Sequence, residues 1–286
     1  MANVVTGFLY DRIMFDVPTS LSPSRVESFL SCPMAFRFSS IEKLPEPPSV
    51  HTTRGSLVHR ALELLFMNQP TDRTTETAIN SLDTAIAEYR SDPDFTDLGL
   101  SEDQAAVFFK EALDLVHAYL AMEDPSTIRE IGIELRLEAT VDQLTLRGII
   151  DRLELNAEGE LIVTDYKTGR APSAQYQQKS FNGVHFYSFL CQAVLGRRPA
   201  KIRLMYLKTG EVIETTPSEQ SVRAVTMRTT AVWKAVEKAC QTGNFQPRPG
   251  GLCGGCSFKR WCPAFGGDPT VAAVEASLAL ATVSPS

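Results

Sequence analysis

Apolar residues recur at helical spacing through the first part of the chain, and near residue 130 the period changes to that of strands. Val26, Phe29, Leu30 and Phe36 form a stripe behind Leu21-Ser22-Pro23-Ser24, where Ser22 can cap a helix and Pro23 suits its first position. Pro33 bends or ends that helix directly after Cys32, leaving the thiol at a turn. Residues 44–49, rich in proline, read as a linker. Leu57, Ala61, Leu64 and Leu65 give residues 54–68 an apolar helical face, with His59 one step off it. Two more helices are expected near 75–90 and 101–122. Residues 131–139, 143–155 and 161–167 then alternate and are rich in β-branched side chains, which predicts a meander of three strands. A helix over 176–195, strands at 201–207 and 211–215, and a long helix over 218–242 complete the pattern. The stretch after Gly267 is mostly Ala, Val and Ser without an aromatic residue, and is expected to add little to the fold. There is no internal repeat.

At 286 residues the chain can bury a full core, as one large domain or two smaller ones. No stretch is long and apolar enough to span a bilayer, and Asp11 and Asp16 interrupt any leader-like run at the start. The net charge of −6 argues against a nucleic-acid partner only until its distribution is considered. Residues 72–138 hold 16 carboxylates against five Lys or Arg, so the remainder carries a net charge of about +5. An acidic insertion masks a basic body.

Two groups of residues carry chemistry. In Cys253-Gly-Gly-Cys256-Ser-Phe-Lys-Arg-Trp-Cys262 the glycines let the backbone curl until both sulfurs of the first pair face one centre. Cys32 is the best candidate for a fourth ligand, and one centre would then staple the two ends of the chain. Zinc and an iron–sulfur cluster both accept four thiolates, so the ligand set leaves the metal open, and buried thiols without any metal are the plain alternative. With no secretion signal, ligands in a reducing cytoplasm are expected rather than disulfides. Cys191 and Cys240 stand among apolar residues and read as core.

The second group is a hairpin, Gly148-Ile-Ile-Asp151-Arg-Leu-Glu-Leu155 followed by Leu161-Ile-Val-Thr-Asp165-Tyr-Lys167. With a turn at 156–160, Leu155 faces Leu161, Leu153 faces Val163 and Asp151 faces Asp165, with opposed Cβ atoms about 4.5–5.5 Å apart. Two bare carboxylates at that distance repel unless a divalent cation or a proton sits between them. Lys167 projects from the same face as Asp165. Such a trio suits Mg²⁺ or Mn²⁺ and phosphoryl chemistry, although a surface salt-bridge trio has the same composition. A one-residue slip would send the two aspartates to opposite faces.

Asp151 and Asp165-Tyr166-Lys167-Thr168-Gly169 resemble motifs II and III of the RecB-like exonucleases in the PD-(D/E)xK superfamily. Gly55-Ser56-Leu57-Val58-His59 resembles that family's metal-binding histidine motif. Leu21 through Cys32-Pro33, with the closing C-x2-C-x5-C, resembles its iron–sulfur branch, found in AddB-type helicase–nucleases and the CRISPR spacer-acquisition nuclease. The order of these elements matches over residues 20–265. The resemblance implies an α/β fold: a restriction-endonuclease-like mixed sheet flanked by helices, with a helical insertion at about 70–125 and an iron–sulfur clasp between the N- and C-terminal segments. It divides the chain into an extension at 1–20, one nuclease domain at 21–266 with its cysteine segment at 250–265, and a flexible tail at 267–286. By the same resemblance Asp151, Asp165, Lys167 and Tyr187 would be catalytic. His59, Asp151, Asp165 and the carbonyl of Tyr166 would hold Mg²⁺ or Mn²⁺, and Cys32, Cys253, Cys256 and Cys262 a [4Fe-4S] cluster. The family's Q-x-x-x-Y helix motif is met only at Tyr187, because Gly183 stands where the glutamine belongs and Gln177 and Gln178 are out of register. Glu134 on the first strand is a further candidate, or simply a solvated strand residue.

The expected activity is metal-dependent exonucleolytic cleavage of DNA, at single-stranded ends, in cytoplasmic DNA repair or recombination. The chain has no Walker A stretch, so it would act alone or beside a separately encoded helicase. Lys179, Arg197, Arg198, Lys201, Arg203, Lys259 and Arg260 could form a track for the phosphate backbone. The rival readings are a DNA-binding iron–sulfur module with little catalysis, within a repair or CRISPR adaptation complex, and a zinc-stapled nuclease.

Overall fold

The computed structural model describes residues 15–283, apart from the side chains at 174, 176, 178–180, 182 and 279–283. Most of the expected N-terminal extension, and the side chain of Lys179, therefore lie outside the described residues. The principal elements are α1 (Pro23–Ser31), α2 (Val50–Phe66), α3 (Thr75–Tyr89), α4 (Glu102–Met122), β1 (Glu130–Val141), β2 (Leu144–Leu155), β3 (Leu161–Lys167), α5 (Ala174–Leu195), β4 (Lys201–Tyr206), β5 (Glu211–Thr215), α6 (Glu219–Thr242) and α7 (Ala272–Val283). They fall into two compact units, Glu46–Arg228 and the pair of segments Met1–Pro45 and Thr229–Ser286, with the boundary inside α6.

In the larger unit β1 to β5 form one mixed sheet in sequence order. The pairs β1–β2, β2–β3 and β4–β5 are antiparallel, and β3–β4, joined through α5, is parallel. The β2–β3 register is the expected one: Leu155 opposes Leu161, Leu153 opposes Val163 and Arg152 opposes Thr164. Its turn is held by Asn156, whose Oδ1 accepts the Glu160 N–H at 2.7 Å, and by Gly159 at φ +74°, a left-handed conformation open to glycine.

Helix α2 starts four residues earlier than its apolar face implies, because Ser49 caps it by accepting the Thr52 N–H at 3.1 Å. Thr52, Thr53 and Gly55 are poor helix formers, so propensity does not fix this helix. Burial does: Leu57, Val58, Ala61, Leu62, Leu65 and Phe66 pack into a core shared with α3, α4, Tyr166, Met205 and Leu207. Each buried leucine contributes roughly 1.5–3 kcal/mol, more than the roughly 1 kcal/mol that a helical glycine costs. Arg73 ties the insertion to the sheet by donating to the carbonyls of Phe66, Asn68, Pro125 and Ile128 and pairing with Glu130.

In the smaller unit α1 has the expected Ser22 cap and ends before Cys32, whose extended backbone leads into a short helix at Pro33–Phe36. Phe38, fully buried, packs on Phe258 and Trp261 with ring centres 5.4 and 6.1 Å away. Part of the segment expected to be a flexible tail is the helix α7, which buries Ala272 and Ala276, while Trp261 Nε1 donates to Glu275 at 2.8 Å. Two alanines four residues apart are too small an apolar signal to mark a docked helix in the sequence.

Candidate active site

Strands β1 and β2 pair as Ile133 with Arg152 and Leu135 with Ile150, which leaves Glu134 and Asp151 as the residues passed over between them. Glu134 takes φ +46°, a left-handed conformation in the middle of a strand, and such strain in a non-glycine residue costs on the order of 1–3 kcal/mol. Asp151 is 9% exposed and Asp165 4%. The Tyr166 N–H donates to Asp151 Oδ2 at 2.7 Å. From α2, His59 places Nδ1 3.5 Å from Asp151 Oδ2 and 3.9 Å from Glu134 Oε1, with Nε2 3.1 Å from the Tyr166 carbonyl. Gly55 permits this approach, since a Cβ there would stand 3.1 Å from Thr168 Oγ1. The ligand atoms of His59, Glu134 and Asp151 all lie within 4.8 Å of one another.

Asp165 is held by Lys167, with Nζ 2.5 Å from its buried Oδ2. Tyr187 enters from α5 against the glycine at 148, where a Cβ would come within 3.2 Å of the ring and 3.0 Å of Leu190. Burial, and then the charges of Asp165, Asp151 and Glu134, hold its phenol far above the usual range. The structure thus brings His59, Asp151, Asp165, Tyr166, Lys167 and Tyr187 together, with Glu134, the further candidate on the first strand, beside them. In the sequence Glu134 is one of several charged residues at alternate positions of a strand, which left a solvated residue as an equal alternative. Around Gly183 there is open space, with no atom within 4 Å of where a Cβ would stand.

The electrostatics follow from crowding carboxylates away from water. Burial and the neighbouring Asp165 push the Asp151 carboxyl up to about 7, against the opposing pull of His59, the Tyr166 N–H and Lys167. Burial alone would lower the His59 pKa, but Glu134, Asp151 and Asp165 outweigh it and raise the imidazole. Burial likewise works against the Lys167 ammonium and is overcome by Asp165, so the lysine is firmly cationic. One imidazole, three carboxylates and a carbonyl form an oxygen-rich donor set with excess negative charge. A small divalent cation fits such a set.

Of the expected phosphate track, Lys201 and Arg203 are ion-paired within the fold, while Arg197, Arg198, Lys259 and Arg260 are exposed. Lys201 pairs with Glu214 at 2.7 Å, and Arg203 with Glu123, Glu214 and Glu154 at 3.2, 3.3 and 3.6 Å. Arg197 donates to the Gly159 carbonyl at 2.7 Å. Lys259 lies over Phe265 and Arg260 over Trp261.

In the smaller unit Cys32, Cys253, Cys256 and Cys262 line one cavity together with Met34, Phe38 and Phe258. The Arg248 N–H donates to Cys32 Sγ at 3.4 Å and the Gly250 N–H to Cys253 Sγ at 3.3 Å. Burial and the three other sulfurs raise the Cys256 thiol, opposed by a backbone N–H. Cys191 and Cys240 are fully buried, as expected, with thiols pushed up by burial to about 12 and about 11. Among the described residues no helix is long and apolar enough to cross a membrane.

The chain is similar to several known proteins. The B subunit of the ATP-dependent helicase/deoxyribonuclease of Streptococcus agalactiae is 29% identical over 190 residues, which is 64% of this chain and 17% of that protein. The chain therefore spans about a sixth of the length of such relatives. The gene 69 protein of Mycobacterium phage D29 is 23% identical over 267 residues, 85% of this chain and 96% of its own. The crystal structure of a Eubacterium rectale protein assigned as an exonuclease superposes with a TM-score of 0.50 at 11% identity, covering 85% of this chain and 88% of that one, and shows the likeness of fold. Residues 20–263 match the family model of the PD-(D/E)XK nucleases, a span that holds the histidine, the carboxylates, the lysine and the four thiols described above. With that match over most of its length, the chain belongs to the PD-(D/E)XK nuclease superfamily.

Proposed function

We propose that the larger unit is a Mg²⁺- or Mn²⁺-dependent deoxyribonuclease that trims single-stranded DNA ends. The observation that carries this reading is the gathering of His59, Glu134 and Asp151 within 4.8 Å, beside an Asp165–Lys167 pair, in a member of a nuclease superfamily. His59, Asp151, Asp165 and the Tyr166 carbonyl would hold the ion, with Glu134 completing the shell. When bound, the ion lowers the pKa of a water and offsets charge on the scissile phosphate. Lys167, kept cationic by Asp165, supplies a positive charge for the extra negative charge on phosphorus oxygens as water attacks and the leaving oxygen departs. Tyr187 walls the carboxylates on the α5 side. Arg136 and Arg147 are exposed and stand two and four residues from Glu134 and Asp151, on the same hairpin, so they are the cations best placed to meet the phosphates.

The four thiols of the smaller unit would hold a [4Fe-4S] cluster that ties Cys32 to the Cys253–Cys262 segment. Zinc accepts the same four thiolates, and the metal content and visible spectrum of anaerobically purified protein separate the two. The likeness to a helicase/deoxyribonuclease subunit supports work on DNA ends in repair or recombination, beside a separate helicase.

The test is digestion of end-labelled single- and double-stranded DNA in Mn²⁺ by wild type, Asp151→Ala and Lys167→Ala. Loss of cleavage in both variants with DNA binding retained supports the proposal. Equal cleavage in all three preparations refutes it, and tight binding without cleavage by wild type would make the chain a binding module.

A further inference from the structure

Arg152 is fully buried, 0% exposed, one residue from Asp151. Its guanidinium donates to Tyr166 Oη at 2.7 Å, to Glu123 Oε2 at 3.1 Å, and to Tyr119 Oη and Thr164 Oγ1, each at 3.4 Å. Its Nε lies 2.5 Å from Glu154, and Glu123 and Glu154 are both shared with Arg203. Two guanidinium groups thus balance two carboxylates. Networks of this kind are often no more stabilising than apolar packing of the same volume, so stability alone is a poor account of it.

What the network holds is Tyr166. That ring is buried, edge-on to Tyr119 at 5.6 Å and to His59 at 6.0 Å, and its hydroxyl is fixed by Arg152. The same residue gives its N–H to Asp151 and has its carbonyl 3.1 Å from His59. Through the two ends of a single tyrosine, the buried arginine reaches two members of the cation cluster.

We infer that Arg152 is a positioning residue. By holding the Tyr166 hydroxyl it sets the peptide that aims Asp151 and His59 at a shared divalent cation. Its effect on cleavage rests on the nuclease reading, whereas its effect on cation binding does not. Groups that orient metal ligands in this way typically change affinity by about 10–100-fold when lost.

Tyr166→Phe tests this most cleanly, because it removes one oxygen and leaves Arg152 paired with Glu123 and Glu154. Arg152→Lys is the second variant, keeping charge but not the fork that reaches Tyr166. The measurements are thermal midpoint, amide hydrogen exchange at residue 166 without metal, Mn²⁺ affinity by electron paramagnetic resonance, and kcat and KM on DNA. The expected result is a folded Tyr166→Phe protein with faster exchange at residue 166 and Mn²⁺ binding weakened about tenfold. Its kcat should fall at fixed Mn²⁺ with KM for DNA unchanged, and recover as Mn²⁺ is raised. Unchanged exchange and Mn²⁺ affinity in Tyr166→Phe would overturn the inference, as would an Arg152→Lys protein that binds Mn²⁺ like wild type. Weakened Mn²⁺ binding in a chain that never cleaves DNA would uphold it and refute the nuclease reading.

Discussion

Replacing Asp151 by Asn should stabilise the metal-free protein at pH 8 and abolish cleavage. The carboxyl has its pKa raised from 3.8 to about 7, chiefly by burial and then by Asp165. Between those values the folded state binds a proton that the unfolded chain has released, so stability falls as pH rises through the window and the full penalty is present above pH 7. Three units correspond to about 4 kcal/mol as a ceiling. Asn keeps an oxygen able to accept the Tyr166 N–H, so little is lost in exchange. The larger unit is 183 residues long, a size at which 1 kcal/mol moves the melting midpoint by roughly 2–4 °C. A rise of at most about 8–16 °C in chelator at pH 8 is therefore expected from differential scanning calorimetry. The gain should shrink as pH falls toward 4 and vanish below about pH 3, where Asp151 is protonated in both states. Mn²⁺ should close the gap at pH 8 by stabilising wild type and not the variant. A variant less stable than wild type at pH 8, or a gain undiminished at pH 4, would refute the claim that the cluster is strained by uncompensated charge.

Other substitutions probe the remaining parts. Gly148→Ala puts a Cβ 3.0 Å from Leu190 and 3.2 Å from Tyr187, so a loss of about 1–3 kcal/mol by urea titration is expected, with kcat reduced as Tyr187 is displaced. Cys256→Ala should abolish the visible absorption and iron content of anaerobically purified protein, while Cys191→Ala should retain both; a colourless, zinc-loaded wild type would end the cluster proposal. Arg136→Glu with Arg147→Glu should flatten the slope of log K against log salt for single-stranded DNA by at least about 1.4, two phosphate contacts at 0.7 each, without changing Mn²⁺ affinity. An unchanged slope would remove that hairpin from the DNA path.

The difference between what could and could not be read from the chain follows from the range of the forces involved. The hairpin register was legible because alternation and a five-residue turn fix it locally, and Leu153 facing Val163 carries Asp151 toward Asp165 without reference to the rest of the fold. Glu134 could be offered only beside the reading of a solvated strand residue, because its membership depends on a left-handed residue in β1 and on where α2 sets His59, neither of which leaves a periodic trace. The ion pairs within the basic track were hidden for a related reason: Lys201 and Arg203 look free in sequence, yet their carboxylate partners are contributed by β5, by β2 and by the end of α4, at distances along the chain that no local pattern spans. Arg152 shows the same limit at its sharpest. Beside Asp151 it reads as one more charge on a strand, and only the fold reveals that it faces Tyr119, Glu123 and the Tyr166 hydroxyl. The residues that would touch the cation were recognisable by chemistry, whereas those that aim them are recognisable only by contact. It is therefore in Tyr166→Phe, not in another loss of a carboxylate, that the account of this site is most exposed to failure.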